Sequence, residues 1–182
     1  MVRGREQVTG ALLVGGASAR FGSPKALAVL GGETLAERCY RTLGEAFGRV
    51  VAVGKEGDAL PLPFPVQDDG TEERAAIVGV AASLRLADGD VCVVLPTDMP
   101  FVTAELLRSL AAAAEDVDAA VVQTGPLPGA YRRSALPVLE RRIAAGELAL
   151  RDALAELETC VVEADAALLQ NINTPADLTR TR

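Results

Sequence analysis

Short, wholly apolar segments alternate with longer helical patterns along this chain, and no other feature restricts its fold as strongly. The apolar segments lack the polar alternation of a half-exposed strand, so we predict strands that are buried on both faces. Helical segments between such strands imply parallel β-α-β units with right-handed crossovers. The sequence therefore predicts an α/β fold with a Rossmann-like, mostly parallel sheet and helices on both faces. The predicted strands cover 8–14, 50–53, 91–95 and 119–122, and the predicted helices cover 75–86, 103–114 and 134–145.

Two further helices are predicted from the residues that mark their starts. Thr34 and Glu37 have the spacing of a capping box, in which each side chain caps the backbone of the other residue. Near the end of the chain, Thr174 occupies the N-cap position, Pro175 the first helical position and Asp177 the third. We expect one helix to begin after each threonine.

Length and charge narrow the class of protein. The chain has 182 residues, and we assign 1–182 to a single domain with its core from about residue 8 to 178. The net charge of −7 argues against binding to nucleic acid or to an anionic membrane. No apolar stretch suits a membrane span or a secretory signal. Cys39, Cys92 and Cys160 lie far apart in apolar runs and are predicted to be buried free thiols, so we expect a cytoplasmic protein.

The chain contains no histidine. This excludes Ser-His-Asp hydrolases and Cys-His proteases, and it argues against most zinc enzymes. Any chemistry must therefore depend on carboxylates, lysine, arginine, hydroxyls, backbone amides or a hard metal ion held by carboxylates.

The first predicted strand ends in a loop that combines glycines with two basic residues. Ligands of open parallel sheets bind beyond the carboxyl ends of the strands. Gly15 and Gly16 let the backbone approach a ligand closely, and the N–H groups of such a loop can surround phosphate oxygens. Arg20 and Lys25 add charges suited to a triphosphate. Although the loop lacks the P-loop and dinucleotide patterns, we predict phosphate binding in preference to a plain glycine turn with two surface cations.

A single aspartate follows the third predicted strand. Asp98 stands between Pro96 and Pro100, which hold it on a stiff turn. A lone carboxylate there suits Mg²⁺, which is often held by one or two carboxylates together with substrate phosphates and water. The alternative is a turn or cap aspartate, although Thr103 is the better cap for the next helix. One aspartate of the pair Asp68 and Asp69 is a further candidate, for contact with a base or ribose, although the pair by itself is more typical of solvated surface.

Four segments resemble, in order and spacing, motifs of the molybdenum cofactor guanylyltransferases and their relatives. Residues 13–25 resemble the signature L-A-G-G-x-x-x-R-M-G-x-x-K, and 95–100 resemble the metal-binding D-[MT]-P turn. Residues 128–133 resemble a variant of A-V-Y-R-R, and 171–178 resemble the closing motif N-x-N-T-P-x-[DE]-L. The resemblance extends from about residue 8 to 178.

This resemblance implies a nucleotidyltransferase that binds GTP and Mg²⁺, transfers GMP to the terminal phosphate of molybdopterin and releases pyrophosphate. We also expect transient contacts with a molybdoenzyme or with proteins of cofactor synthesis. The nucleotide-binding residues that it implies are Leu13, Val14, Gly15, Gly16, Lys25, Asp69 and Asp98. The predicted catalytic residues are Arg20, Lys25 and Asp98, of which Asp98 is the metal ligand. Those assigned to the side that receives the pterin are Arg132, Asn171 and Asn173.

Two segments depart from the pattern of that family. The family usually carries G-P-[LM]-x-G before the third helix, whereas 74–79 read R-A-A-I-V-G, and a strand-end asparagine is replaced around Lys55. Alanines favour helix, so the helix is expected to begin earlier and to intrude on the pocket. Arg74 is then a candidate to stack on the base or to pair with a phosphate, and otherwise a solvated cation.

Three other functions compete with guanylyl transfer. Because both departures lie where the nucleoside should bind, a cytidylyl- or other nucleotidyltransferase of the same fold stays open. A paralogue that binds nucleotide or pterin without catalysis also stays open. The paired glycines 15–16 favour guanine, since relatives with A-G there tend to use CTP. A dehydrogenase is disfavoured because the dinucleotide fingerprint is missing.

Overall fold

A computed structural model of the protein describes residues 8–15 and 24–180, and the strands in these ranges form a seven-stranded sheet and a two-stranded one. The strands are β1 (Val8–Leu13), β2 (Val29–Leu30), β3 (Glu33–Thr34), β4 (Arg49–Gly54), β5 (Val66–Asp68), β6 (Val91–Pro96), β7 (Ala119–Val122), β8 (Gly125–Arg132) and β9 (Thr159–Val162). The helices are α1 (Leu35–Ala46), α2 (Ala76–Leu86), α3 (Ala104–Ala113), α4 (Leu136–Ala144), α5 (Leu150–Ala153) and α6 (Pro175–Arg180). In the described ranges, no helix has both the length and the apolar character that crossing a bilayer requires.

The large sheet has the strand order β5-β4-β1-β6-β8-β7-β9 and is mostly parallel, which confirms the predicted fold class. β1 pairs in parallel with β4 on one side and with β6 on the other. β8 runs antiparallel to both β6 and β7. β8 is not predicted from the sequence, because glycines and prolines interrupt its apolar pattern. Since β8 is reversed, its first residues lie beside the carboxyl end of β6.

Helices cover both faces of the sheet, as predicted. Alternate residues of β6 belong to different apolar cores. Val91, Val93 and Leu95 lie in the core on the side of α1 and α3, which pack against each other. Cys92 and Val94 lie in the core on the side of α2 and α4, which also pack against each other. This double burial explains why β6 is apolar throughout.

Side-chain caps start the two helices that were predicted from their capping residues. The backbone N–H of Glu37 donates to Thr34 Oγ1 at 3.1 Å, and the N–H of Thr34 donates to Glu37 Oε2 at 2.9 Å, which completes the capping box of α1. At α6, Asp177 Oδ2 accepts a hydrogen bond from the N–H of Thr174 at 2.8 Å. Both predicted starts are confirmed.

The three cysteines are free thiols. Cys39 and Cys92 are buried as predicted, whereas Cys160 is only half-buried. Burial raises the pKa of the Cys39 and Cys92 thiols to about 12. Both thiols are therefore protonated near neutral pH and are poor nucleophiles.

Gly54 allows β1 and β4 to lie close together at their carboxyl ends. A Cβ atom at this position would lie 2.4 Å from the carbonyl oxygen of Val14 and 3.0 Å from Val66 Cγ1. We expect Gly54→Ala to lower the free energy of unfolding by about 2–3 kcal/mol in urea denaturation, because backbone must shift to admit the methyl group. The control is Gly44→Ala in α1, where no atom lies within 4 Å and a gain of up to about 1 kcal/mol is expected. Equal stability of the Gly54 variant and the wild type would contradict this account.

Candidate active site

Two adjoining cavities open at the carboxyl ends of β1 and β6. The larger has a volume of about 560 Å³ and is bordered on one side by the first residues of β8. The smaller has a volume of about 410 Å³. From β1 the chain continues to β4 on one side, and β6 lies on the other, so the strand order reverses here and favours ligand binding. The residues that line both cavities are Gly15, Arg74, Pro96 and Asp98.

The end of β1 contributes backbone to the larger cavity. Leu13, Val14 and Gly15, which were predicted to contact the nucleotide, line its wall. Gly15 has a φ of 123°, a backbone conformation that residues with a Cβ rarely adopt. Gly16 and Arg20, the other predicted residues of this loop, lie outside the described residues.

Asp98 and Lys25 face each other where the cavities meet. The distance from Asp98 Oδ2 to Lys25 Nζ is 3.5 Å, and both side chains are partly exposed. Asp98 lies in a tight turn after β6, where the N–H of Met99 donates to the carbonyl of Pro96 at 3.3 Å. The two residues predicted from separate motifs thus lie together, with one negative and one positive group directed at the same space.

The closing segment places its two asparagines beside this pair. The N–H of Ile172 donates to the backbone carbonyl of Asp98 at 2.8 Å, and the Ile172 side chain is buried. The residues on either side of Ile172 reach the site. Asn171 lines the larger cavity, and Asn173 Oδ1 accepts a hydrogen bond from Lys25 Nζ at 3.1 Å. Both asparagines, which the resemblance assigns to the side that receives the pterin, therefore lie at the cavities, and that role stays a prediction.

Asp69 lines the larger cavity and is paired with Lys55. Lys55 Nζ lies 2.7 Å from Asp69 Oδ1, 2.5 Å from the carbonyl of Thr71 and 2.6 Å from that of Glu73. The side chains of Lys55 and Asp69 are only 12% and 7% exposed. Three acceptors use all three ammonium protons, so Lys55 pins the loop after β5 to the end of β4. In the sequence, Lys55 stands out only as a departure from the family pattern, since nothing there identifies these partners.

The family to which this arrangement belongs follows from comparison with known proteins. Residues 10–161 match the family model described as the MobA-like NTP transferase domain. The chain belongs to the MobA-like NTP transferase family. The resemblance found in the sequence is thereby confirmed.

Relatives of this MobA-like NTP transferase cover almost its whole length. A probable molybdenum cofactor guanylyltransferase of Aquifex aeolicus is 33% identical over 93% of this chain and 87% of its own. One from Carboxydothermus hydrogenoformans is 28% identical over 94% and 93%. The crystal structure of molybdopterin-guanine dinucleotide biosynthesis protein A from Archaeoglobus fulgidus has a TM-score of 0.81 at 29% identity, covering 94% of this chain and 95% of that one. The nucleotidyltransferase fold of these relatives therefore extends over almost the whole chain.

Helix α2 does not begin as early as the sequence predicts. The helix begins at Ala76, whereas Ala75 has extended backbone with φ −138° and ψ 146°. Arg74 lines both cavities and forms two hydrogen bonds with Asp58, of 2.6 and 3.1 Å. The expected earlier helix start is therefore wrong, since extended backbone at Ala75 keeps the helix from beginning before residue 76. Asp58, in a 3₁₀ turn, was not among the predicted site residues.

Arg132 and the two cavities lie at opposite ends of the sheet. It pairs with Val91 at the start of β6, and its guanidinium donates to Asp90 Oδ2 at 2.6 and 3.0 Å. The assignment of Arg132 to the pterin side is therefore corrected. The cause is the direction of β8, which brings residues 124–127 to the cavity and carries its last residue away from it.

Tyr131 fixes the end of β8 that does line the cavity. Its ring is fully buried, and its hydroxyl donates to the carbonyl of Pro126 at 2.7 Å. Burial also raises the pKa of Tyr131, so the hydroxyl stays protonated and keeps donating at neutral pH. Thr124, Gly125, Pro126 and Leu127 were missed by sequence analysis, because they carry no ionisable group.

Proposed function

We propose that this chain transfers GMP from GTP to the terminal phosphate of molybdopterin or molybdenum cofactor and releases pyrophosphate. The observation that carries the proposal is the position of Asp98 and Lys25 at the junction of two cavities. Transfer between two phosphorylated substrates requires that they meet beside groups that offset their charge. The names of the relatives from A. aeolicus and C. hydrogenoformans support the choice of substrates.

The lining of the cavities suggests a side for each substrate. We assign the nucleoside to the side of Asp69, near the ends of β4 and β5. The triphosphate belongs over Lys25 and the backbone that follows β1. We assign the pterin to the opposite side, which is formed by residues 124–127 and Asn171. The acceptor phosphate then approaches the α-phosphate near Asp98.

The residues present fit a Mg²⁺ ion that is shared with substrate. Within residues 8–15 and 24–180, no cluster of three or more cysteine or acidic side chains could hold a metal by itself. Asp98 is a single, accessible carboxylate, and Mg²⁺ commonly binds one or two carboxylates together with phosphates and water. Asp98 would hold the ion, which would neutralise charge on the transferring phosphate.

This reaction does not need a strong base from the protein. The acceptor phosphate is already ionised, and one of its oxygens forms a bond to the α-phosphorus as the bond from that phosphorus to the oxygen bridging the β-phosphate breaks. Pyrophosphate leaves with the electron pair of the broken bond. The chain's own task is to position both substrates and to offset their charge, which Lys25 and the backbone N–H groups of the first loop can do without histidine.

The test is a substrate screen with the purified protein. GTP, CTP, ATP and UTP are each incubated with Mg²⁺ and molybdopterin, and both pyrophosphate release and the dinucleotide product are measured. We expect GTP to be consumed in preference to the others. Preference for CTP would indicate a cytidylyltransferase. Binding of nucleotide or pterin without pyrophosphate release would indicate a protein that has lost catalysis.

Lys25→Ala should weaken binding of GTP about tenfold and leave binding of guanosine nearly unchanged, because the ammonium is expected to act on the phosphates. Isothermal titration with both ligands measures this difference. Arg108→Ala is the control, since Arg108 is an exposed cation on α3 that donates to the carbonyl of Glu45. Equal losses for GTP and guanosine would show that Lys25 does not act on the phosphates.

A further inference from the structure

Arg74 occupies a position shared by both cavities. Among the described residues that line them, the basic ones are Lys25, Lys55 and Arg74. Lys55 already uses its three protons on Asp69 and two backbone carbonyls. Arg74 differs from Lys55 because its side chain is 54% exposed and lines both cavities. Because this side chain is already exposed, contact with a ligand does not require it to leave a buried position.

The partner of Arg74 lies beside the first loop. Asp58 accepts a hydrogen bond from Nη2 of Arg74 at 2.6 Å on Oδ1 and another from Nη1 at 3.1 Å on Oδ2. The same Oδ2 atom lies 3.6 Å from the place where Gly15 would carry a Cβ. Two parallel N–H···O bonds are also the geometry in which arginine binds phosphate. The carboxylate of Asp58 thus holds the guanidinium in the way that a phosphate would, next to the loop that is proposed to bind phosphates.

We propose that Arg74 is a triphosphate-binding residue and that Asp58 is its stand-in partner, which phosphate displaces when the nucleotide binds. The inference rests on the proposed function only in requiring that the loop after β1 holds a nucleoside triphosphate. An exposed ion pair contributes little to stability, so little opposes the exchange of one bidentate acceptor for another of higher charge. Asp58 therefore competes with the substrate for Arg74. The guanidinium also holds the pKa of the Asp58 carboxyl below its usual value, which keeps this competitor ionised.

A purely structural role predicts a different outcome. In that case the pair would only tie the 56–58 turn to the start of α2, and loss of either residue would loosen the same wall of the cavity. Both single variants would then weaken binding. If Asp58 competes for Arg74, the two variants must change affinity in opposite directions.

The experiment measures triphosphate affinity by isothermal titration for Arg74→Gln, Asp58→Asn and the double variant. The ligands are GTP, CTP and inorganic tripolyphosphate, with guanosine as the ligand that lacks phosphates. The control is Arg85→Gln, since Arg85 forms an exposed pair with Glu140 away from the cavities. Thermal unfolding of each variant verifies that it is folded.

We expect Arg74→Gln to weaken triphosphate binding about tenfold, the scale of one charge-assisted contact, and to leave guanosine binding unchanged. Asp58→Asn should tighten triphosphate binding several-fold, and the gain should disappear in the double variant. Weaker binding in both single variants would overturn the inference. If the wild type binds CTP and not GTP, the proposed guanylyl transfer fails while the same comparison on CTP still decides the role of Arg74. Absence of binding to every triphosphate would overturn both.

Discussion

Asp98→Asn is expected to reduce turnover by a factor of ~10² or more, because a metal ion at the transferring phosphate is a major electrostatic contribution to phosphoryl chemistry. The amide keeps the size of the carboxyl group and loses its charge. The hydrogen bonds that shape this turn use backbone atoms, including the bond from the N–H of Ile172 to the carbonyl of Asp98. The fold should therefore stay intact. Pyrophosphate release at saturating GTP and increasing Mg²⁺ measures the effect.

The ion pair with Lys25 adds a second readout for this variant. Removal of the carboxylate frees Lys25 from a competing partner 3.5 Å away, so GTP binding without Mg²⁺ should not weaken. The dependence of turnover on Mg²⁺ should shift to higher concentrations. Asp88→Asn is the control, since Asp88 is an exposed partner of Arg49. Full turnover by the purified Asp98 variant would remove Asp98 from the role of metal ligand.

The central strands could be predicted because strands buried on both faces consist mostly of apolar residues. β1, β4 and β6 lie between other strands and under helices on both faces, so most of their residues are apolar and polar residues do not alternate with them. The Thr34 and Thr174 caps are equally local, because each joins groups three residues apart. The edge strand β5 has only three residues, half-buried or exposed, and carries no comparable pattern.

Neither β8 nor its direction could be predicted from local pattern, and one predicted site residue, Arg132, was therefore assigned to the wrong end of the sheet. The resemblance of 128–133 to a family motif assigns Arg132 to the pterin side, but only the pairing of β8 shows which end of that segment meets the cavity. The positions of Lys25, Asp98 and Asn173 were easier to predict, because each residue follows the carboxyl end of a parallel strand or lies in the closing segment. Residues that follow parallel strands gather at the carboxyl edge of the sheet, whereas the last residue of the antiparallel strand β8 lies at the opposite edge.

The ion pairs of the site depend on tertiary structure. Lys55 lies 14 residues before Asp69, and Arg74 lies 16 residues after Asp58. Long flexible side chains can reach many acceptors, so neither sequence spacing nor charge selects these partners. Each pair contains one residue, Lys55 or Arg74, from a segment that departs from the family pattern. Each pair links two loops of the cavity wall, and these links cannot be predicted from the sequence because they depend on how the loops are placed.

Lys55→Met is expected to lower the free energy of unfolding by about 3 kcal/mol, because it leaves the carboxylate of Asp69 buried without its cation. Methionine keeps the unbranched shape and most of the volume of lysine, so packing changes little. The carbonyls of Thr71 and Glu73 also lose their shared donor, but both residues are accessible enough for water to replace it. The main cost should therefore come from Asp69, whose side chain is 7% exposed. Urea denaturation at neutral pH measures the change.

A double-mutant cycle separates the unpaired charge from the loss of packing. Asp69→Asn removes the charge and keeps a group that can still accept a hydrogen bond from the N–H of Thr71, as Oδ1 of Asp69 does at 3.2 Å. If the buried charge causes the loss, the double variant of Lys55→Met and Asp69→Asn should be more stable than Lys55→Met alone. GTP affinity should fall in Lys55→Met, because Lys55 holds the loop that carries Asp69 and leads to Arg74. Additive losses in the cycle, or a Lys55 variant as stable as the wild type, would mean that solvent already screens this pair and that other contacts hold the loop.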